Sequence, residues 1–388
     1  MKLPALTTLT ALCLSLSARA QGDLTPPGPP APTMKTLQQI EPRGDVNRLS
    51  GDATAHFVIS SPGSYFLSGD IIAADARDGI RIEANDVSLD LRGFRVSGAS
   101  TGGIGILYGN GQSQQSSVKR CILRNGIVTG WKSHGVAAEN ASQGLFRDII
   151  ASANGGIGLN VKGASVSGCV AGDNDGKGIA AEDSVVTECA ASTESLTEPA
   201  IYGYQSQLSN LSVVNGTLTG TGIRVVRSSL ESSMAAQCET CISGLYSQIR
   251  HCTASNYGIG IAVDRSQVTG NTCTFGGGGP ASGFGIQAGT DCMILENMLE
   301  TNRFPIDITG SYCRVERNHV SMKNFLSVGG IGIRCANGTP GENVITLNNV
   351  GGRFPGIHLI EIQPDAGDHA PIAGFGAPAD ANYLQPTP

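Results

Sequence analysis

A short run of alternating apolar and polar residues, usually preceded by glycine, recurs along the chain from residue 79 onward. Alternation of this kind over four or five positions is typical of a half-buried β-strand. Five consecutive runs share one register, because the isoleucine at the start of each is followed five residues later by a serine. The isoleucines are Ile179, Ile201, Ile223, Ile242 and Ile261, and the serines are Ser184, Ser206, Ser228, Ser247 and Ser266. The pattern therefore predicts short strands that repeat in a fixed order.

The spacing of these runs indicates the kind of repeat. Successive units are 19 or 22 residues long, and a period near 20 with short strands, small-residue turns and no helical periodicity is typical of a parallel β-helix. Leucine-rich repeats have a similar period but need leucine at several fixed positions, whereas here isoleucine and valine begin the strands and leucine is irregular. We therefore predict an all-β fold, a right-handed parallel β-helix of about 12 to 13 coils, over residues 57–362.

Stacking of the coils predicts what each column of equivalent residues does. Neighbouring coils of a β-helix are hydrogen-bonded at ~4.8 Å, so equivalent residues lie on top of one another. The isoleucine and valine columns should fill the interior, and the serines should make the hydrogen bonds of the turns. Asparagine tolerates the left-handed backbone of tight corners, which is the role predicted for Asn154, Asn174, Asn215 and Asn256. Longer excursions from the period are predicted to be loops at residues 101–117, 190–199 and 274–285.

Several cysteines follow the same periodicity. Each of four cysteines comes three residues after a valine or an isoleucine, which predicts an inward column of small side chains: Cys121, Cys169, Cys189 and Cys252. Neighbouring coils are close enough for some of them to form disulfides, and the spacing leaves the pairing open. The Cys238-Glu-Thr-Cys241 segment has the spacing of a metal or redox motif, but no second pair or histidine follows to complete a zinc site. A coil corner or a local disulfide is therefore favoured there.

The first twenty residues have the features of an export signal. Lys2 precedes an apolar run that ends in Ala18-Arg19-Ala20, a small-residue cleavage site. Cleavage after Ala20 would give a secreted, periplasmic or cell-surface protein, and no later stretch is apolar for long enough to cross a membrane. The remaining chain has 24 basic and 32 acidic residues, a formal net charge of −8, which disfavours nucleic acid as a partner. The other segments are predicted to be a Pro-rich linker (21–33), an N-terminal cap with a short helix (34–56) and an Ala/Pro/Gly-rich tail (363–388).

Beyond its periodicity, the chain resembles the bacterial exported right-handed parallel β-helix repeat family, also called the pectate-lyase-like superfamily. The likeness covers roughly residues 33–360, and its first part resembles a subgroup of unassigned function. The segments that carry this closer likeness are residues 33–37, 41–43, 62–65 and 87–94. The resemblance implies the fold. The superfamily includes polysaccharide lyases, glycoside hydrolases, epimerases and non-catalytic adhesins or spike proteins, so membership alone selects no activity.

The strongest candidate for chemistry lies on three successive coils. Glu139, Lys162 and Glu182 should stack about 5 Å apart, with Asp183 beside the last of them. Two acids that flank a lysine could bind Ca²⁺ and a uronate, with Lys162 as the base of a lyase and Glu182 with Asp183 as metal ligands. The simpler interpretation, an exposed ladder of salt bridges, is favoured.

A second set of candidates follows the strand isoleucines and should point outward. Asp307, Arg334 and His358 form one line near the C-terminal end, and Tyr202 and Arg224 occupy equivalent positions earlier in the chain. These five residues are predicted to contribute to binding, and an ordinary solvated face is the favoured alternative. Only one carboxylate occurs among the ten aligned outward positions. The aspartate clusters of the superfamily's lyases and hydrolases are therefore not matched.

Two hypotheses about function follow. In the first, the protein is a secreted or cell-surface β-helix that binds a glycan or a partner along its long face and catalyses nothing. In the second, it is a polysaccharide lyase or another carbohydrate-active enzyme with its site beside Lys162, for which Ca²⁺ is a candidate cofactor. The sequence leaves the ligand and the oligomeric state open.

Overall fold

The computed structural model describes residues 43–100, 102–109, 118–215, 220–274, 283–300, 304–322, 331–335, 343–352, 358–362 and 383–384. Contacts divide the chain into Met1–Arg43 and Gly44–Pro388, and the solenoid lies in the second unit. Its described residues are β-strands and turns, apart from one 3₁₀ turn at Val46–Arg48. Within these ranges no helix has the length and apolar character needed to cross a membrane. The predicted signal peptide, linker and capping helix lie outside the described residues, as does the tail except for residues 383–384.

The strands wind into a solenoid with three faces. Each strand pairs in parallel with its counterpart one turn later, and the two are joined by the other two faces of the coil. The first face comprises Ala55–Ile59, Asp78–Ile82, Ile106–Tyr108, Val136–Ala138, Leu159–Lys162, Ile179–Glu182, Ile201–Tyr204, Thr221–Val226, Phe284–Ala288, Phe304–Ile308, Ile331–Cys335 and His358–Ile362. The parallel β-helix predicted from the sequence is therefore confirmed.

The other two faces are built in the same way. The second face comprises Gly44–Asp45, Gly63–Phe66, Val87–Asp90, Ala164–Ser167, Val185–Thr187, Gln207–Ser209, Ser229–Glu231, Gln248–Arg250, Gln267–Thr269, Met293–Leu295, Arg314–Glu316 and Val344–Thr346. The third comprises Ile71–Ala73, Arg95–Gly98, Val170–Asn174, Ala190–Thr193, Ser212–Val214, Thr272–Thr274, Met298–Glu300, His319–Met322, Asn349–Gly352 and Tyr383–Leu384.

Four longer strands continue around a corner from one face to the next. They are Ile122–Thr129 and Gly144–Ser152, which join the second face to the third, and Met234–Leu245 and Thr253–Asp264, which join the third to the first. The remaining two strands, Val118–Lys119 and Ala141–Ser142, pair only with each other.

The register inferred from the five repeated isoleucines is confirmed. Ile179 pairs with Ile201, and the same column continues through the other three isoleucines to Ile261. All five side chains are fully buried, at 0% exposure. Full burial of one such side chain stabilises the folded state by roughly 1.5 to 3 kcal/mol. This column is therefore a main source of stability.

The serine column forms the predicted ladder of hydrogen bonds at the corner between the first and second faces. The backbone N–H of Ser184 donates to Oγ of Ser206 at 3.1 Å, and that of Ser206 donates to Oγ of Ser228 at 3.0 Å. The bond repeats at Ser228 and Ser247, up to Oγ of Ser266. Each hydroxyl thus satisfies a buried N–H that the sharp corner removes from the strand ladder.

The predicted role of the asparagines is corrected by the structure. A single residue with positive φ turns these corners, and at two of them it is the residue before the asparagine, Ala153 (φ 53°) and Asp173 (φ 54°). Asn154 and Asn174 themselves point inward and are buried. Asn256, with φ 50°, does adopt the left-handed conformation.

The buried asparagines instead tie neighbouring coils together. Oδ1 of Asn174 accepts from the backbone N–H of Asn154 at 3.1 Å and from its Nδ2 at 2.9 Å, and Oδ1 of Asn215 accepts from the N–H of Thr193 at 3.1 Å. An amide that both donates and accepts satisfies more buried backbone groups than a left-handed corner residue would. The sequence pattern placed Asn154 and Asn174 at corners correctly. The left-handed residue of each corner is, however, the residue before the asparagine.

The four predicted cysteines are buried as expected, but they lie in two columns. Cys169, Cys189 and Cys252 share one column, whereas Cys121 lies in the column of Ser184 at another corner. Within the described part of the chain every cysteine is buried and none is bridged. Cys238 and Cys241 lie at a corner and are both fully buried, and their thiols hydrogen-bond to each other.

Two of the predicted loops are shorter than expected. Residues 106–108 form a buried strand of the first face, and Ala190–Thr193 form a strand of the third face. The remaining stretch of the first excursion, residues 110–117, lies outside the described residues, as does 275–282 of the third.

Candidate functional site

Outward side chains of the first face form a shallow open groove where two columns run side by side. One column holds Glu139, Lys162, Glu182 and Tyr204, since each lies three residues after the first residue of its strand and the strands are in register. Residues from both columns line a concavity of about 290 Å³, which we call the tyrosine groove. The structure thus brings together the three residues predicted as a catalytic set.

The second column supplies a mixed polar and aromatic wall. It runs from Asn160 through Ala180 and Tyr202 to Arg224. Alanine at position 180 leaves space between the larger side chains above and below it. The groove therefore lies where a small residue interrupts a row of long ones.

Polar contacts in the tyrosine groove link neighbouring rungs. Nζ of Lys162 donates to Oε1 of Glu182 at 2.7 Å, and Nδ2 of Asn160 donates to Oε2 of Glu139 at 3.2 Å. The side chains of Lys162 and Glu182 are 45% and 43% exposed. These groups remain accessible to a ligand, and the ion pair itself contributes little to stability because water screens it.

Two tyrosines stand side by side on a single rung of the groove. Tyr202 and Tyr204 are two residues apart on one strand, so both point outward, and each is half-buried. Nη1 of Arg227 donates to the hydroxyl of Tyr204 at 3.2 Å. Nζ of Lys177 lies 5.6 Å from the centre of the Tyr202 ring and 2.5 Å from Oε2 of Glu198. Flanking cations thus restrain the two rings as a pair.

The electrostatics of Lys162 disfavour its predicted role as a base. The hydrogen bond from Lys162 to Glu182 raises the pKa of the ammonium group above its ordinary value of 10.5. A lysine that accepts a proton near neutral pH needs its pKa lowered instead, by burial or by a neighbouring cation. In this environment Lys162 stays protonated near neutral pH.

Glu182 and Asp183, the predicted metal ligands, are adjacent but belong to different parts of the coil. Asp183 is the left-handed corner residue after the strand (φ 48°), and its backbone N–H donates to the carbonyl of Tyr204 at 3.0 Å. Among the described residues, no group of three His, Cys, Asp or Glu side chains is arranged to hold a metal ion. The metal role of Glu182 and Asp183 remains a prediction.

The second predicted line differs from the expected solvated face. Asp307 is fully buried, and Arg334, whose side chain is 20% exposed, donates from Nε to Oδ1 of Asp307 at 2.7 Å. Gln287, on the preceding rung, donates from Nε2 to Oδ2 of Asp307 at 3.3 Å. The aspartate is therefore held between two donors and is not open to solvent.

His358 does not belong to this line. The register pairs Arg334 with Glu361 and His358 with Ile331, so the last strand is displaced by three residues from the alignment that the sequence suggested. Two isoleucines, Ile357 and Ile360, fit the same pattern. The sequence pattern matched Ile357 with the isoleucines of the earlier strands, whereas in the structure Ile360 pairs with Ile333.

A pair of stacked phenylalanines supports the buried ion pair. The rings of Phe284 and Phe304 lie 5.2 Å apart at an angle of 21°. The guanidinium of Arg334 lies 4.3 Å from the centre of the Phe304 ring and 5.7 Å from that of Phe284. A guanidinium over an aromatic face is a favourable contact. We call Gln287, Asp307, Arg334 and these two rings the buried ion-pair cluster.

Sequence reasoning missed part of the tyrosine groove. Tyr204, Asn160, Lys177 and Arg227 were not among the predicted site residues. The first two could have been found, because Tyr204 follows Tyr202 at the two-residue period of a strand and Asn160 is two residues before Lys162. The contacts of Lys177 and Arg227 cross from one coil to another, and only the register reveals them.

Comparison with known proteins agrees with this architecture. The family model described as the right-handed β-helix region matches residues 78–238. The A-module of the mannuronan C-5 epimerase AlgE6 from Azotobacter vinelandii has a similar structure, with a TM-score of 0.50 and 13% identity over 68% of this chain and 86% of that one. Such a low identity indicates a shared fold and no more.

Other solved structures are similar at lower scores. A tailspike protein of the E. coli bacteriophage HK620 has a TM-score of 0.39 and 12% identity, over 78% of this chain and 59% of that one. The surface adhesin PfbA of Streptococcus pneumoniae has a TM-score of 0.32 and 9% identity, over 76% of this chain and 82% of that one.

No curated protein matches the sequence significantly. The matching family model, the parallel register and the shared fold lead to the same conclusion: the chain is a right-handed parallel β-helix protein.

Proposed function

We propose that the tyrosine groove binds an extended glycan and that the protein acts by binding, without catalysis. The observation that carries this proposal is the pair Tyr202 and Tyr204 on one rung, bordered by the carboxylates of Glu139 and Glu182 and the amide of Asn160. Aromatic faces pack against the apolar faces of sugar rings, and nearby polar groups fix the orientation through hydroxyl groups.

The dimensions of the groove suit a chain-like ligand. It is shallow and about 290 Å³ in volume, and the columns that form it continue onto the next rung at Arg224. Arg224 is exposed and can meet a negative or hydroxyl-rich group. A ligand that lies along the stacking direction would contact several rungs, each ~4.8 Å further along.

Binding is favoured over the lyase alternative by the state of Lys162. A lyase needs a base that takes the proton next to the uronate carboxylate, and Lys162 is held as a cation by Glu182. The same cation can pair with a carboxylate of a bound sugar. The β-helix of a mannuronan epimerase supports only the general point that this fold can present a polysaccharide site.

The test combines a glycan array with an assay for elimination. We expect the purified protein to bind a subset of polysaccharides, and Lys162→Ala to weaken that binding. Arg120→Ala is the matched control, because Arg120 and Asp86 also form an exposed ion pair, at 2.6 Å, outside the groove. Uronate polymers with Ca²⁺, followed by the absorbance of an unsaturated product, should give a flat trace.

Two outcomes would overturn the proposal. Product formation that is lost in Lys162→Ala would establish the lyase instead. Binding that Lys162→Ala and Arg120→Ala weaken equally, or no binding to any glycan on the array, would exclude the groove as the glycan site.

We also propose that residues 1–20 direct export and are removed after Ala20, as the apolar run and small-residue site indicate. N-terminal sequencing of the protein recovered outside the cytoplasm should begin at Gln21. A chain that stays in the cytoplasm and begins at Met1 would contradict this.

A further inference from the structure

Two corners of the solenoid carry cysteines on successive rungs. Cys169 and Cys189 occupy equivalent positions, because Ser167 pairs with Thr187 before them and Val170 with Ala190 after them. The N–H of Ala190 donates to the carbonyl of Cys169 at 2.9 Å, which confirms that the two corners are directly stacked.

Cys292 and Cys313 are stacked in the same way at a different corner. Directly before them, the N–H of Asp291 donates to the carbonyl of Ser311 at 2.9 Å, and directly after them Met293 pairs with Arg314. The N–H of Arg314 donates to the carbonyl of Cys292 at 2.8 Å. The chain therefore places two pairs of thiols one rung apart.

The spacing of the rungs suits a covalent link. Stacked parallel strands lie about 4.7 to 4.9 Å apart, and disulfides join residues whose Cα atoms are usually 4.4 to 6.8 Å apart. In each pair the two thiols are close enough to shift each other's pKa. All four side chains are buried, with 2% exposure or less, so both pairs lie inside the solenoid.

On other rungs, polar side chains at the equivalent corners join neighbouring coils by hydrogen bonds. In the column of Cys292, the serines accept a hydrogen bond from the N–H of the rung below, as Ser266 does from Ser247 at 3.0 Å. In the column of Cys169, asparagine has that role, as Asn271 does for Cys252 at 2.8 Å. Side-chain ties between rungs thus recur in both columns, and at the cysteine pairs two stacked thiols occupy these positions.

We propose that Cys169–Cys189 and Cys292–Cys313 are disulfide bonds in the oxidised protein, each joining two successive rungs. The oxidant is a disulfide, either that of a dithiol oxidoreductase or of a small thiol such as glutathione. One cysteine thiolate attacks a sulfur of the oxidant and releases one thiol. The second cysteine thiolate then displaces the other, so that two electrons and two protons pass from the cysteine pair to the two released thiols.

The chemistry of each pair favours this exchange. The neighbouring Cys169 thiol lowers the pKa of Cys189, and the Cys313 thiol lowers the pKa of Cys292 in the same way. The thiolate is the form that attacks a disulfide. Because the sulfur atoms are buried, we expect exchange to occur while the chain folds or while these rungs open locally.

The test maps the cysteines of the full-length protein after folding in a glutathione redox buffer. The protein is unfolded in N-ethylmaleimide without a reductant, digested and analysed by mass spectrometry. We expect the peptides of Cys169 and Cys189 to be joined, and likewise those of Cys292 and Cys313. Cys121 and Cys252 are internal controls and should be fully alkylated, because glycine or valine stacks on the first and serine and asparagine on the second.

A single substitution provides the second arm. In Cys189→Ser we expect Cys169 to become alkylated to the same extent as Cys252, while Cys292–Cys313 stays joined. Serine occurs at equivalent corners of this column, as at Ser233, so the variant should fold. Alkylation of all four cysteines as complete as that of Cys252 in the wild type, or peptides joined in other combinations, would overturn the proposal.

Discussion

The tyrosine groove and the buried ion-pair cluster lie on the same face of the solenoid. Each contains an ion pair, and the two pairs differ in their exposure to solvent. In the groove, Lys162 and Glu182 are each more than 40% exposed. In the cluster, Asp307 is completely buried and Arg334 mostly so. Both pairs join adjacent rungs at 2.7 Å. With the same donor–acceptor distance, the first pair is therefore accessible to a ligand, whereas the second is part of the buried structure.

The difference arises from the neighbours of each pair. Arg334 lies over the stacked rings of Phe284 and Phe304, which exclude water from one side of the guanidinium. Among the described residues no aromatic ring covers Lys162 in this way, and it lies between Glu139 and Glu182 along an open column. An outward position in a β-helix thus fixes the direction of a side chain, while the residues beside it fix the dielectric environment.

The largest effect is expected from removing one partner of the buried pair. Arg334→Ala leaves the Asp307 carboxylate buried, with Gln287 as its remaining side-chain donor among the described residues. Loss of one partner of a buried ion pair costs about 3 to 5 kcal/mol, and the free energy of unfolding should fall by that amount. Denaturation in guanidinium chloride, followed by circular dichroism, measures it.

The matched control is Lys162→Ala in the groove, which should leave the denaturation midpoint nearly unchanged because that pair is exposed. Equal losses of stability in the two variants would show that the buried and exposed pairs do not differ as described. A stable Arg334→Ala protein would show that Asp307 gains other partners or becomes protonated.

An intermediate effect is expected from exchanging the aromatic residues of the two regions for alanine. Tyr202→Ala should weaken glycan binding about tenfold, or ~1.4 kcal/mol, with little loss of stability. Phe304→Ala should lower stability and leave the affinity for the glycan unchanged. Calorimetric titration with the polysaccharide identified on the array measures the first effect, and denaturation measures the second. Loss of affinity in Phe304→Ala would mean that the two regions act together.

The sequence was sufficient to predict the coils because their signal is repeated many times. Each of the five isoleucines alone is an ordinary apolar residue, but their common distance to a serine determines the register, and the structure confirms it. The last strand shows the limit. Near residue 358 the repeat offers two isoleucines three residues apart, and no further copies of the motif follow to decide between them.

The site was less predictable, since exposure depends on contacts between coils. The sequence placed Glu139, Lys162 and Glu182 together correctly, because each comes three residues after the apolar residue that begins the strand of its coil. It gave Asp307 a solvated position, because its partners Gln287 and Arg334 are 20 and 27 residues away in the chain. Alternation along a strand contains no information about such neighbours.

The smallest effect is the dependence of the exposed pair on pH. The pKa of Lys162 is raised above 10.5 by Glu182, so the pair contributes stability that is fully present below pH 10.5 and is lost as the pH rises through the raised pKa. Glu182→Gln should therefore be slightly less stable than the wild type at about pH 8, and the difference should disappear at about pH 12. Urea denaturation at several pH values measures this difference.

Asp86→Asn provides the reference for this experiment. Asp86 pairs with Arg120, whose pKa is also raised by its partner, from an ordinary value of 12.5. That cation stays charged throughout the range, so the difference between Asp86→Asn and the wild type should persist where the difference for Glu182→Gln disappears. If both differences fade together, the loss reflects general alkaline destabilisation of the solenoid, and the pair in the groove has no measurable link to the charge of Lys162.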